Sequence, residues 1–249
     1  MALPYNLVTN QPPAMGLIVL QTDTQLEVDL GPLFHQLGYR ALHSRIPSLP
    51  EVRPETLATM GEQMTRVAGM LPSSADLAAI GYGCTSGATI LGEARVAEMV
   101  QVAHPGIPVS NPMSGLKAAC RTLGITKLGL LTPYVANVSE ALIETLKDDG
   151  IDVTAYASFE QVEDQTVAKI DPRSVLDAMI EIGKGDCEAV FASCTNLRAF
   201  EVLEQAEAAI GKPVLCSNQV MAWHMLQIAG LGAPMTGYGH LLQQRLAAQ

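Results

Sequence analysis

The sequence predicts an α/β protein of two pseudo-symmetric, doubly wound domains with parallel sheets, with the active site in the inter-domain cleft. Three observations carry this expectation. Ala79-Ile80-Gly81-Tyr82-Gly83-Cys84-Thr85-Ser86 and Ala189-Val190-Phe191-Ala192-Ser193-Cys194-Thr195-Asn196 match each other, each reading as an apolar strand that closes on a cysteine and opens a helix. Short apolar runs alternate with helical patterns along the chain, as βαβ units in a parallel sheet require. Further segments recur in one order in both halves, the mark of an internal repeat.

In chain order, Gly16-Leu17-Ile18-Val19-Leu20 is a strand feeding the loop Gln21-Thr22-Asp23-Thr24, as Gly129-Leu130-Leu131 feeds Thr132-Pro133-Tyr134. A helix follows each loop. Gly38 and Gly150 then stand where a helix C-terminus wants a left-handed residue, each ahead of a second strand. Residues 54–71 place Leu57, Met60, Met64, Val67 and Leu71 at helical spacing, with Pro54 suited to the first turn. The cysteine-bearing strands come third. Residues 197–210 read as a helix through Leu197, Phe200, Leu203 and Ile210, with Glu201, Glu204 and Glu207 as a solvated face. Gly106-Ile107-Pro108-Val109-Ser110-Asn111 matches Gly211-Lys212-Pro213-Val214-Leu215-Cys216 as a fourth strand. The expected domains are 1–115 plus 219–249, and 116–218. The tail returns to the first domain and ends in a short helix.

With 249 residues, 48% of them hydrophobic, the chain can bury two modest cores. No long uncharged apolar run suggests a membrane span. The start lacks the basic and continuously apolar pattern of a signal peptide, and five irregularly spaced cysteines make no secreted disulfide framework, so a cytoplasmic setting is expected. A formal charge of −10 without a basic stripe argues against nucleic acid. Cys120, Cys187 and Cys216 form no Cys-x-x-Cys, and His35, His43, His104, His224 and His240 lack paired ligand spacing, so no metal site is expected. Gly81-Tyr82-Gly83-Cys84-Thr85-Ser86-Gly87 is not a dinucleotide or Walker loop. A small molecule is the expected partner.

A cysteine at a strand end is ordinarily a small buried hydrophobe. Two in the same repeated setting, each followed by threonine and a small polar residue, point instead to chemistry. A thiol at a helix N-terminus can have its pKa lowered to roughly 3.5–7.5. Ligands of open α/β sheets bind at the carboxyl ends of strands, where Cys84 and Cys194 fall.

These signatures, with Leu131-Thr132-Pro133-Tyr134 and the Asp171-Pro172 helix start, resemble the aspartate/glutamate racemase superfamily, in its branch of maleate cis-trans isomerases and arylmalonate decarboxylases. The resemblance spans almost the whole chain. It implies a cofactor-independent enzyme, frequent homo-oligomerisation, and Cys84 and Cys194 as the two catalytic thiols. Tyr134 matches the tyrosine that the isomerases place against a substrate carboxylate. Arylmalonate decarboxylases keep only the second cysteine, so Cys84 argues against simple decarboxylation. Asp23 and Asp164 stand where maleate isomerases resemble this chain but carry asparagine; lining the cleft, they would suit a substrate ammonium, whereas either could instead point outward or cap a helix. The run Leu20-Gln21-Thr22-Asp23-Thr24 with Glu27 is also similar to racemase-like proteins of ectoine utilisation, which implies diamino-acid derivatives.

Two opposed thiols suit inversion, one removing a proton and the other returning one from the far face. In a cis-trans version Cys84 adds to the alkene and Cys194 manages the proton. Thr85, Ser86, Thr195, Asn196 and Tyr134 are the expected donors to the substrate carboxylate. The reading is therefore a racemase or cis-trans isomerase of a small carboxylic or amino acid. An arylmalonate-type decarboxylase and a noncatalytic binding protein are the alternatives.

Overall fold

The computed structural model describes residues 1–245 and contains two four-stranded, fully parallel sheets. In the first, β1 (Ala14–Leu20), β2 (Arg40–Ile46), β3 (Leu77–Gly83) and β4 (Val109–Ser110) are ordered β2-β1-β3-β4. In the second, β5 (Lys127–Thr132), β6 (Asp152–Ser158), β7 (Ala189–Ala192) and β8 (Val214–Cys216) are ordered β6-β5-β7-β8. The two orders are the same. Every residue of β1 is buried, which explains its unbroken apolar run: a strand paired on both sides and covered on both faces has no solvated side.

The first half carries α1 (Leu26–Gln36), α2 (Pro54–Thr59), α3 (Gly61–Ala68), α4 (Thr85–Leu91), α5 (Glu93–Ala103) and α6 (Pro112–Leu123). The second carries α7 (Ala136–Asp148), α8 (Asp164–Val167), α9 (Pro172–Gly183) and α10 (Leu203–Ile210), and α11 (Ser217–Ile228) opens the returning tail. Starts follow their chemistry. Asn111 Oδ1 accepts from the Met113 and Ser114 N–H groups ahead of α6, and Asp171 does the same for Ser174 ahead of α9; proline opens both helices. Gly38 and Gly150 adopt φ of 79° and 77°, the left-handed conformation expected of them.

Helix α11 leaves the last strand of the second sheet and packs on α6 and β3 of the first half. Its approach to α6 is backbone to backbone: a Cβ on Gly115 would lie 2.4 Å from the Val220 carbonyl oxygen. Gly81 likewise admits Met221 and Met225 against β3. Residues 246–249, assigned with the first half, lie outside the described residues; the tail before them ends in a 3-10 turn, Leu241–Gln243.

Two helices differ from expectation. The pattern over 54–71 is broken at Met60, whose N–H turns back to Leu57, and Gly61 opens a separate helix against Leu91. Residues 195–199 form turns, and regular helix begins only at Leu203 after a 3-10 turn over Phe200–Val202. Cys194 therefore opens no helix. Its φ of 110° lies in the left-handed half of backbone space, a strained setting for a residue with a side chain.

Candidate active site

The carboxyl ends of both sheets meet around a narrow pocket. Cys84, Thr85 and Ser86 reach it from the end of β3. Cys194 and Thr195 reach it from the equivalent end of β7, and Tyr134 from the end of β5. Both cysteines line one pocket.

Cys84 caps α4 through its sulfur, which accepts the Gly87 N–H at 3.2 Å and lies 3.7 Å from Ser86 Oγ. Gly87 is required there, because a Cβ would sit 2.4 Å from the Tyr82 hydroxyl and 2.9 Å from the sulfur. Cys194 is held by its backbone: its N–H donates to Ser217 Oγ at 2.9 Å. The same Ser217 hydroxyl meets Thr85 Oγ1 at 2.7 Å, and Thr195 Oγ1 donates to the Gly83 carbonyl. Each half thus braces the cysteine turn of the other.

The expected lowering of the thiol pKa values is reversed. Burial pushes Cys84 up to about 11, with the Gly87 amide and Ser86 hydroxyl opposing it. Cys194 is raised as well, by burial first and then by the charge of Asp164. Cys194 also lacks a helix N-terminus to offset the desolvation, and the hydrogen-bonded amides counter only part of it. Both thiols rest protonated. Tyr134, fully buried beside Cys194, is likewise raised by burial.

Asp23 and Asp164 part company. Asp23 Oδ1 accepts the Gln25 and Leu26 N–H groups, each at 2.8 Å, and so starts α1; it does not line the pocket, so its expected substrate contact is corrected to a cap. Asn196 is also corrected, because its amide is spent on the Thr24 N–H and the Thr22 and Asp164 carbonyls. Asp164 does line the pocket, with Oδ2 accepting from Thr22 Oγ1 at 2.6 Å.

Sequence reading missed the roof. Residues 48–60 cross from the first half, placing Leu49, Val52, Leu57 and Met60 over the cysteines. This segment is zipped to the second half by Asp164 N–H to Pro50, Val52 N–H to Val162, and a bridge between Glu51 and Glu163. Ser217 was missed too, although its place just after a fourth strand is a carboxyl-end position of the repeat. Among the described residues, no helix is long and apolar enough to cross a membrane.

The family model for arylmalonate decarboxylase matches residues 15–242. The maleate isomerase of Alcaligenes faecalis is 25% identical over 243 residues, 92% of this chain and 95% of its own. A variant of the maleate isomerase of Pseudomonas putida S16, solved with maleate, superimposes with a TM-score of 0.84 at 22% identity, over 93% of this chain and 97% of the other. A cysteine-to-serine variant of the Nocardia farcinica maleate cis-trans isomerase, solved with a covalently bound succinylcysteine intermediate, gives 0.82 at 22% identity, over 93% and 98%. The fold is shared throughout, and with the match running across both sheets the chain belongs to the arylmalonate decarboxylase family.

Proposed function

We propose that this protein is a cofactor-independent isomerase in which Cys84 and Cys194 act as an opposed pair on a small carboxylate. The observation that carries the reading is that equivalent strand ends of two like sheets bring two cysteines to the wall of one pocket. The curated maleate isomerases that match over 92% of the chain support the class of reaction.

Cys84 is the first thiol to ionise, because its sulfur caps α4, where it receives the Gly87 amide and lies beside the Ser86 hydroxyl. As thiolate it attacks an alkene carbon or removes a proton, while Cys194, kept protonated, donates from its own side. Thr85, Ser86 and the Tyr134 hydroxyl surround the pair and hold the carboxylate on which charge develops, while Thr195, whose hydroxyl is given to the Gly83 carbonyl, shapes the wall. Ser217 fixes Cys194 and Thr85 relative to each other and is a positioning residue.

The apolar roof favours one second reading, an arylmalonate-type decarboxylase that needs Cys194 alone. Cys84→Ala and Cys194→Ala separate the two. An isomerase loses at least about 1000-fold in turnover with either change, whereas a decarboxylase releases carbon dioxide and tolerates Cys84→Ala. Retention of isomerisation by both variants contradicts the two-thiol mechanism. Two lobes, 1–115 with the returning tail and 116–218, a reducing cytoplasm suited to five free cysteines, and a homo-oligomer complete the proposal; light scattering reads the oligomer.

A further inference from the structure

The pocket wall holds a buried carboxyl with no cation beside it. Asp164 is buried, and the partner of its Oδ2 is a neutral hydroxyl, that of Thr22. Glu51, the other carboxylate in the wall, is half exposed and paired with Arg53. Among the described residues, no lysine, arginine or histidine lines the pocket. Arg45 lies behind it, committed to Glu27 and to the Leu20 and Asp23 carbonyls. A buried carboxylate without a cation is costly, and the cost is recovered when a ligand brings the missing charge. Opposite requirements come from the roof, where Leu49, Val52, Leu57 and Met60 offer nothing to a second anion.

We infer that the substrate is an α-amino acid with an apolar side chain: its ammonium pairs with Asp164, its carboxylate takes the hydroxyls around the cysteines, and its side chain lies under the roof. This rests on the two-thiol reading above and names the substrate for it. One cysteine first releases its proton to solvent. Its thiolate then takes the Cα proton, so that an S–H bond forms as the C–H bond breaks and the electron pair spreads into the carboxylate. The opposite thiol gives its proton to the other face of Cα and becomes the thiolate. No electrons are gained or lost. The ammonium also cancels the Asp164 charge that opposes ionisation of both thiols.

The test compares L-norleucine, N-acetyl-L-norleucine and maleate with the intact protein in deuterated water, reading Cα deuteration and optical rotation, or fumarate from maleate. L-Norleucine is expected to exchange and racemise with kcat/KM about 100-fold above its N-acetyl form. Asp164→Asn is expected to shift the norleucine-to-maleate ratio of kcat/KM by about 100-fold toward maleate, chiefly through the norleucine KM. Equal use of the free and acetylated amino acids, or an unmoved ratio in Asp164→Asn, overturns the inference. If the variant does not fold, the comparison of ligands on the unaltered protein still decides. If none of the three turns over, calorimetric affinity of the unaltered protein decides: acetylation must weaken binding about 100-fold, and equal affinities overturn the inference. Maleate turnover that needs both cysteines while norleucine is ignored sinks this inference alone. Turnover that survives Cys84→Ala and Cys194→Ala sinks the two-thiol reading instead.

Discussion

Cys84 and Cys194 share a position in the repeat but are held differently, one by a helix start and the other by a strained turn tied to Ser217. Neither setting outweighs burial, so the resting protein stores two protons rather than a reactive thiolate. Iodoacetamide labelling of Cys84 should therefore speed up about tenfold per pH unit from about pH 8 to about pH 10, without a plateau. A plateau near neutrality would show a thiolate already formed. Gly87→Ala should cut turnover at least about tenfold, since its methyl group competes with the Cys84 sulfur and the Tyr82 hydroxyl for one space; initial rates on the folded variant check this.

Two elements are tied to single residues. Asp23 starts α1 through one oxygen, while its Oδ2 is buried without a partner. Comparing neutral replacements isolates the cap from the cost of the charge: Asp23→Asn should be more stable than Asp23→Ala by about 1 kcal/mol in urea unfolding. The α6–α11 crossing depends on Gly115, where a methyl group meets backbone that cannot rotate away. Gly115→Ala should cost about 1–3 kcal/mol by the same measurement.

Across the whole molecule, three carboxyls that burial raises, Asp23, Asp29 and Asp164, contribute a pH dependence of stability. Burial raises Asp23 from 3.8 to about 6 and Asp29 from 3.8 to about 7; hydrogen bonds, from the α1 amides to Asp23 and from Asn218 and Gln25 to Asp29, oppose it. Between about pH 4 and about pH 7 these folded carboxyls hold protons that the unfolded chain has released, so their contribution to stability falls as pH rises, by on the order of a few kcal/mol, while His224, pushed down to about 4 by burial, opposes that slope below about pH 6.5. Asp29→Asn should flatten that slope in urea midpoints measured across the window, and an unchanged slope would contradict the assignment. The succession of strands along the chain and the cysteine-bearing strand ends were legible because the short apolar runs and their repetition are written in the sequence itself, whereas the order of strands in each sheet was not. The turn at Cys194 was not: Leu197, Phe200 and Leu203 keep helical spacing while the Ser217 contact, remote in sequence, fixes the backbone otherwise. The roof escaped for the same reason, since its pairing of Pro50 and Val52 with residues 162–164 is visible only in the folded chain.

Sharing of one pocket by two thiols is tested most directly by carboxymethylating the protein with bromoacetate at high pH and mapping the peptides by mass. Adducts are expected on Cys84 or on Cys194 but never on both in one chain, because the first fills the space the second needs. Chains carrying both adducts would contradict that sharing.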